Sequence, residues 1–277
     1  MSTPKERNII KITDALTLVP LGLDFLDSVH SYASDIENTR YMMRLPNESL
    51  DETRAFLETV DAQWQKESPS FFEFAILLDG IHIGAVSAYL DEMETGTCAE
   101  LGWIINKKYW GRGLGYEAAK AMVAFCRERL GVHHFIAHCD TENVGSRRIM
   151  EKLGMKCTCI NEGRRNRAAT EYSREYQYEL IVIDFSTITA CGECCMGCKK
   201  KESGLCKGCI ESDGHCEEWT QSKGCPIHKC AREHEVQFCG LCKEFPCEWL
   251  LQKVTWRANM VEELIELADL YHKQKGE

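Results

Sequence analysis

Apolar residues recur with two different periods along the first two thirds of the chain. Phe71–Leu78 is an aromatic and aliphatic run, and Ile81–Leu90 follows it across Asp79-Gly80. Two strands joined by Asp-Gly predict a β-hairpin with a type I′ turn. Ala15–Val19 reads as an earlier strand. Between it and the hairpin lie two stretches of helical period. Asp24–Ala33 carries Phe25, Leu26, Val29 and Ala33 in phase, and Leu50–Trp64 carries Phe56, Leu57, Val60 and Trp64. Asn47 or Ser49 is placed to cap the second.

Past the hairpin, Cys98–Ile105 predicts a strand and Tyr116–Leu130 a long helix with Ala119, Met122, Val123 and Cys126 on one stripe. His134–Cys139 predicts another strand. Asn143–Leu153 predicts a helix closed by Gly154, which suits the left-handed position after a helix end. Strands near Met155–Asn161 and Glu171–Ile183 finish the series. An early hairpin followed by β-α-β-α-β predicts a mixed α/β unit.

The pattern changes at Ser186–Thr189. From Cys191 to Gly240 there are few large apolar residues. After Cys247 a helical period returns, with Met260, Val261, Leu264, Ile265, Ala268 and Tyr271 on one face and Glu262, Glu263, Glu266 and Lys273 on the other. Two domains follow from this shift, residues 1–183 and residues 184–277.

Composition adds limits. At 277 residues, 44% hydrophobic and 27% charged, the chain has material for a sizeable core. No apolar run approaches the length of a membrane span. The start, MSTPKERNIIKIT, lacks the apolar stretch of a secretory signal, so the expected location is the reducing cytoplasm. A net charge of −10 argues against a dedicated nucleic-acid binder.

Seventeen cysteines redirect the reading. Cys98, Cys126, Cys139, Cys157 and Cys159 are scattered in the first domain and read as ordinary core residues. The other twelve are Cys191, Cys194, Cys195, Cys198, Cys206, Cys209, Cys216, Cys225, Cys230, Cys239, Cys242 and Cys247. A CxxC pair sets two sulfurs on one turn, within reach of one metal ion, and Gly192, Gly197, Gly208 and Gly240 ease such turns. Twelve thiolates would fill three four-sulfur zinc sites, with His215, His228 and His234 as substitute ligands. Zinc would hold together a segment too poor in apolar residues to fold alone. An iron–sulfur cluster is the rival, since four thiolates serve both, although no run has the bacterial ferredoxin spacing. Disulfides rank third. Lys199-Lys200-Lys201 reads as a solvated loop, because the segment has no basic surplus. Trp219, Phe238, Phe245 and Trp249 are candidates to pack the segment against the last helix.

The blocks CGECCMGC, CKGC, CPIHKC and FCGLCKEFPC resemble a family of small cysteine-rich domains of unknown function, to which metal binding is ascribed. The family's first block maps onto Cys191, Cys195 and Cys198 and leaves Cys194 as an extra.

The second chemical signal is Trp110-Gly-Arg-Gly-Leu-Gly115, set between a strand and a helix. Backbone N–H groups converging at a helix N-terminus make an anion site, glycines allow close approach, and Arg112 adds a cation. No Gly-Lys-Ser/Thr follows and GxGxxG is absent, so neither a P-loop nor a dinucleotide fingerprint is present. Taken alone, the pattern is equally that of a plain tight turn.

Its surroundings decide between these. AELGWIINKKYWGRGLGYEAAKAMVAF followed by HCDTENVGSRRIMEKLGM resembles the GNAT N-acetyltransferase superfamily, most closely the branch that acetylates ribosomal-protein N-termini and related small amines. The resemblance covers roughly residues 13–183. It implies an α+β fold with a mixed, mostly antiparallel central sheet and flanking helices. It implies acetyl-CoA as cosubstrate, with Gly111, Arg112, Gly113, Leu114 and Gly115 cradling the pyrophosphate and the helix from Tyr116 aimed at it. Asn143 would contact the pantetheine arm, with Ser146 close by. The strand ending near Ile104 and Ile105 would splay from its neighbour and hold the thioester carbonyl against its backbone.

Two positions depart from the superfamily pattern. Trp110 stands where Gln or Arg is usual. Met150 stands where many members carry the Tyr that protonates the leaving thiolate, with Tyr109 and Tyr116 as alternatives. Glu100 is the candidate base for the attacking amine, in a partly apolar setting expected to raise a carboxyl pKa. His133, His134 and His138 are lesser candidates. A backbone N–H near Ile105 is the expected oxyanion donor. Arg147 and Arg148 read as a solvated helix face. The implied reaction is acetyl transfer to a primary amine, of a protein N-terminus or a small molecule, by direct attack on the thioester. A protein partner would meet the cysteine-rich module. The alternative is a non-catalytic acyl-CoA sensor or interaction protein whose working part is the thiol module.

Overall fold

The computed structural model describes residues 8–93, 96–195, 198–216, 223–254 and 257–275. Gly197 and Trp219, singled out above, lie outside the described residues. The chain divides into two compact units, Met1–Val182 and Ile183–Glu277.

In the first unit the elements are β1 (Ile10–Lys11), β2 (Leu16–Pro20), α1 (Leu26–Ala33), α2 (Ile36–Thr39), α3 (Leu50–Trp64), β3 (Phe71–Leu78), β4 (Ile81–Met93), β5 (Gly96–Ile105), α4 (Leu114–Leu130), β6 (His134–Asp140), α5 (Val144–Lys152), β7 (Lys156–Arg164) and β8 (Ser173–Ile181). The strands form one sheet in the order β1-β2-β3-β4-β5-β6-β8-β7. All neighbours are antiparallel except β5 and β6. Asp79 and Gly80 both take positive φ, 49° and 78°, as the type I′ turn between β3 and β4 requires. Ser49 is the cap of α3, its side chain accepting the Glu52 N–H.

The core lies on one face of this sheet. Trp64 of α3 and Phe125 of α4 each meet Phe72 and Phe74 edge-on, with ring centroids 5.1–5.5 Å apart. Edge-on contact sets the positive ring edge against the negative face of the neighbour. The opposite face carries Glu73, Ser87, Tyr89, Glu100 and His138, as the cross-strand register requires. Glu73 is buried there, the one charged residue of an otherwise aromatic and aliphatic run.

In the second unit the elements are α6 (Lys199–Glu202), α7 (Pro226–Glu233), α8 (Glu248–Lys253) and α9 (Met260–Lys275). Lys199, Lys200 and Lys201 are helical, not a loop: they open α6. Its small core gathers Phe185, Ile227, Phe238, Leu250, Met260 and Leu264. Phe238 packs against Tyr271 of α9, as the pattern suggested. Trp249 and Ile265 are exposed instead. No helix among the described residues is long and apolar enough to cross a membrane.

Candidate active site

The central feature is a divergence of two strands. β5 pairs with β4 from Gly96 to Ile105, but with β6 only from Cys98↔His134 to Leu101↔Ala137. Beyond that rung β6 follows β8 to Asp140 while β5 follows β4, so Gly102–Ile105 and His138–Asp140 part. Gly84 holds β4 against the free end of β5: a Cβ there would lie 2.2 Å from the Ile104 carbonyl oxygen. The Ile105 carbonyl accepts from Trp110 Nε1 at 2.8 Å and from Asn38 Nδ2 at 3.3 Å. Trp110 thus braces the strand end, a role that explains a large aromatic at that position.

The glycine-rich turn follows directly. Gly111 and Gly113 have φ of +75° and +77°, with open space where a Cβ would stand. They are needed for backbone angle, not for room. The helix begins at Leu114, two residues before the expected start, so Leu114, Gly115 and Tyr116 form its first turn. No side chain caps it at Gly113. The first N–H groups of a helix have no intrahelical acceptor, although that of Tyr116 already donates to the Gly113 carbonyl at 3.1 Å, and the helix end is positive. An exposed loop of this kind fits a pyrophosphate. Arg112 lies over the Tyr109 ring at 5.7 Å.

Asn143 caps α5, its side-chain oxygen accepting the Ser146 N–H at 3.1 Å. Its amide nitrogen keeps two donors for a ligand. Ser146 bonds the thiol of Cys139. Met150 is fully buried in the core, so that position offers neither a donor nor access. The Tyr116 ring stacks under Lys152 Nζ at 4.7 Å. Arg147 pairs with Glu151 along α5.

Glu100 does not sit in a setting that raises its pKa. His138 Nδ1 lies 3.1 Å from Glu100 Oε1, and this hydrogen bond, with Arg44 and Arg164 nearby, holds the carboxyl below its usual range. The same bond pushes His138 above the ordinary imidazole value. Of the three histidines named above, only His138 faces Glu100. His133 bonds the Val182 carbonyl and His134 bonds Glu179.

Sequence periodicity missed two further parts. Buried Glu73 is pushed up to about 8, so it is largely protonated at neutral pH; its partner is Tyr89, which stands opposite Glu100 on the next strand. A tether also joins the two loops beside the site. The Arg167 N–H donates to the Met42 carbonyl at 3.0 Å, and its guanidinium bonds Glu48, Glu52 and the Arg44 carbonyl. Arg164 reaches the Tyr41 carbonyl and pairs with Glu175. A charged residue at mid-strand was the one available signal for Glu73; the tether left none.

The twelve clustered cysteines are all free thiols. Cys209 bonds Cys216 and has Cys191 and Cys225 as electrostatic neighbours. Cys195 neighbours Cys198 and accepts the Cys209 N–H, while Cys206 accepts the Gly208 N–H at 3.3 Å. Cys194 is exposed beside Thr187. Cys239 neighbours Cys230, Cys242 and Cys247. Among the described residues no three His, Cys, Asp or Glu side chains stand ready to hold one ion, so the three zinc sites read from spacing are not preformed. Closing several sulfurs to ligand distance around one point takes a cation. The donors are of the right type for zinc and grouped in space, so they fit it chemically.

Residues 15–156 match the acetyltransferase (GNAT) domain family. The uncharacterized N-acetyltransferase YnaD of Bacillus subtilis is 33% identical over 87 residues, covering 30% of this chain and 48% of that protein. The match therefore spans about half the length of that relative. A GNAT-family acetyltransferase structure from Bacillus anthracis superposes with a TM-score of 0.53 at 26% identity, covering 62% of this chain and 98% of the other. A structure of RimL, a ribosomal L7/L12 alpha-N-protein acetyltransferase in complex with coenzyme A, has a TM-score of 0.57 at 15% identity, covering 63% and 98%.

Proposed function

The chain belongs to the GNAT acetyltransferase family, and on that premise we propose that it transfers acetyl from acetyl-CoA to a primary amine by direct attack on the thioester. One observation carries this reading: β5 parts from β6 beside the Glu100–His138 pair and runs on toward an uncapped glycine-rich helix start.

Acetyl-CoA would supply an activated acyl carbon. Backbone N–H groups at Gly111, Arg112, Gly113, Leu114 and Gly115 would hold its pyrophosphate, with the helix turn at Tyr116 aimed at it and Asn143 and Ser146 along the pantetheine arm. The end of β5 at Ile104 and Ile105, which β6 leaves uncovered, would position the thioester, and a backbone N–H near Ile105 would donate to its oxygen as negative charge grows. Neutral His138, oriented by Glu100, accepts the proton of the attacking amine directly or through one water. An ordinary thiol pKa of about 8.5 lets the sulfur leave as thiolate near neutral pH, so buried Met150 is no obstacle. The acceptor is a protein N-terminus or a small-molecule amine, admitted between the tethered loops at 41–48 and 164–173.

We read the cysteine-rich unit as a zinc-holding module that meets a protein partner, supported by its grouped thiols. Free thiols of this number suit a reducing compartment, and we place the protein in the cytoplasm. A second reading, acyl-CoA sensing without turnover, is favoured only by the absent acid at Met150.

The test is an acetyl-transfer screen against N-terminal peptides, aminoglycosides and polyamines, read as released thiol. Enzyme- and amine-dependent release supports the transferase. Tight acetyl-CoA binding with no release across all three classes supports the sensor.

A further inference from the structure

We propose that Cys230, Cys239, Cys242 and Cys247 together hold one zinc ion at the small cavity they line. This rests on reading the second unit as metal-binding and names one ligand set within it. Separate elements bring the four thiols to one place. Cys230 lies on α7. Cys239 and Cys242 bracket a turn closed by the Cys242 N–H on the Cys239 carbonyl at 3.0 Å. Cys247 precedes α8, and its sulfur accepts the Leu250 N–H at 3.4 Å. Such N–H···S bonds steady a sulfur that carries negative charge.

The cavity has a volume of about 20 Å³, with His234 and Glu244 on its wall. That is room for a single ion or water; a cluster of several irons and sulfides is larger. Ala231, Val236 and Phe245 make up the rest of the wall, so a water would find few oxygen or nitrogen partners there. Zinc would instead take four sulfurs at about 2.3 Å in a tetrahedron. The sulfurs do not yet meet at ligand geometry, so binding draws the 239–247 segment and α7 together. The balance is simple: four thiols release four protons to solvent, and four thiolates with one divalent cation carry a net charge of −2. No redox step occurs.

The test uses the full chain loaded with zinc, alkylated by iodoacetamide and mapped residue by residue. Cys157, exposed in the first unit, is the internal reference. Cys230, Cys242 and Cys247 should react many-fold more slowly than Cys157 and become reactive together when a chelator is added. Reaction of any of them at the rate of Cys157 while zinc stays bound overturns this site and leaves the metal-binding reading of the unit standing. Failure of the chain to bind zinc, or a brown iron chromophore, overturns both. With cobalt(II) in place of zinc, Cys242→His should keep the ion and move the d–d bands to shorter wavelength, since nitrogen replaces one sulfur. A spectrum unchanged from the parent protein removes Cys242 from the ligand set.

Discussion

The Nδ1 of His138 stands 3.1 Å from Oε1 of Glu100 at the point where β5 and β6 part. Their bond sets both charges: His138 is raised and Glu100 lowered. If His138 must be neutral to accept a proton, the acid limb of kcat/KM lies above the ordinary imidazole value of about 6.5. Glu100→Gln is expected to move that limb down and to lower turnover by about tenfold or more, with acetyl-CoA affinity kept. A limb that stays in place would remove the pair from the proton path. The stability contribution has two edges. The His138 part is lost as pH rises through its raised pKa, and the Glu100 part as pH falls through its lowered one.

The helix start at Gly113 gives a binding prediction. Gly113→Glu places a carboxylate and a left-handed strain where a pyrophosphate would sit, and acetyl-CoA binding by calorimetry should disappear. Gly113→Ala adds only the strain, about 1 kcal/mol, and should weaken binding mildly. Unchanged affinity in both variants would move the phosphate site elsewhere.

Glu73 predicts a pH-dependent stability. Its folded pKa of about 8 lies above the unfolded value of 4.5. The stabilisation is therefore complete below about 4.5 and is lost as pH rises through about 8, a change on the order of 5 kcal/mol. Urea midpoints should fall over this range for the parent protein and stay flatter for Glu73→Gln. Parallel curves for the two would show that Glu73 is not buried as a neutral acid.

The tether from the Arg167 guanidinium to Glu48, Glu52 and the Arg44 carbonyl predicts an effect on the acceptor alone. Arg167→Ala should raise the KM for the amine several-fold while the acetyl-CoA Kd stays put. An equal rise in both would mean that the loops support the cofactor side instead.

Much of the first unit was legible because its signals are local. The Asp79-Gly80 turn, the Ser49 cap and the unbroken period of Leu50–Trp64 act over a few residues, and β3 and α3 fall where the pattern put them. Boundaries drifted where a terminus is set by the neighbouring chain. α4 starts early because Gly111 and Gly113 already turn the backbone into its first turn. The glycine loop was likewise written in residue types, since only glycine takes those φ values without strain.

The residues alone determined the sheet and helix series, the anion-ready helix start and the concentration of thiols, because propensity, turn chemistry and composition are properties of short segments. Only the tertiary structure decided that β5 leaves β6 after Leu101, that Glu100 meets His138, that Glu73 is buried beside Tyr89, and that Cys230 shares a cavity with Cys239, Cys242 and Cys247. Each of these joins positions through a parallel crossover, a strand register or a chain reversal. Charge and burial at such a position depend on what arrives opposite, and nothing local encodes that.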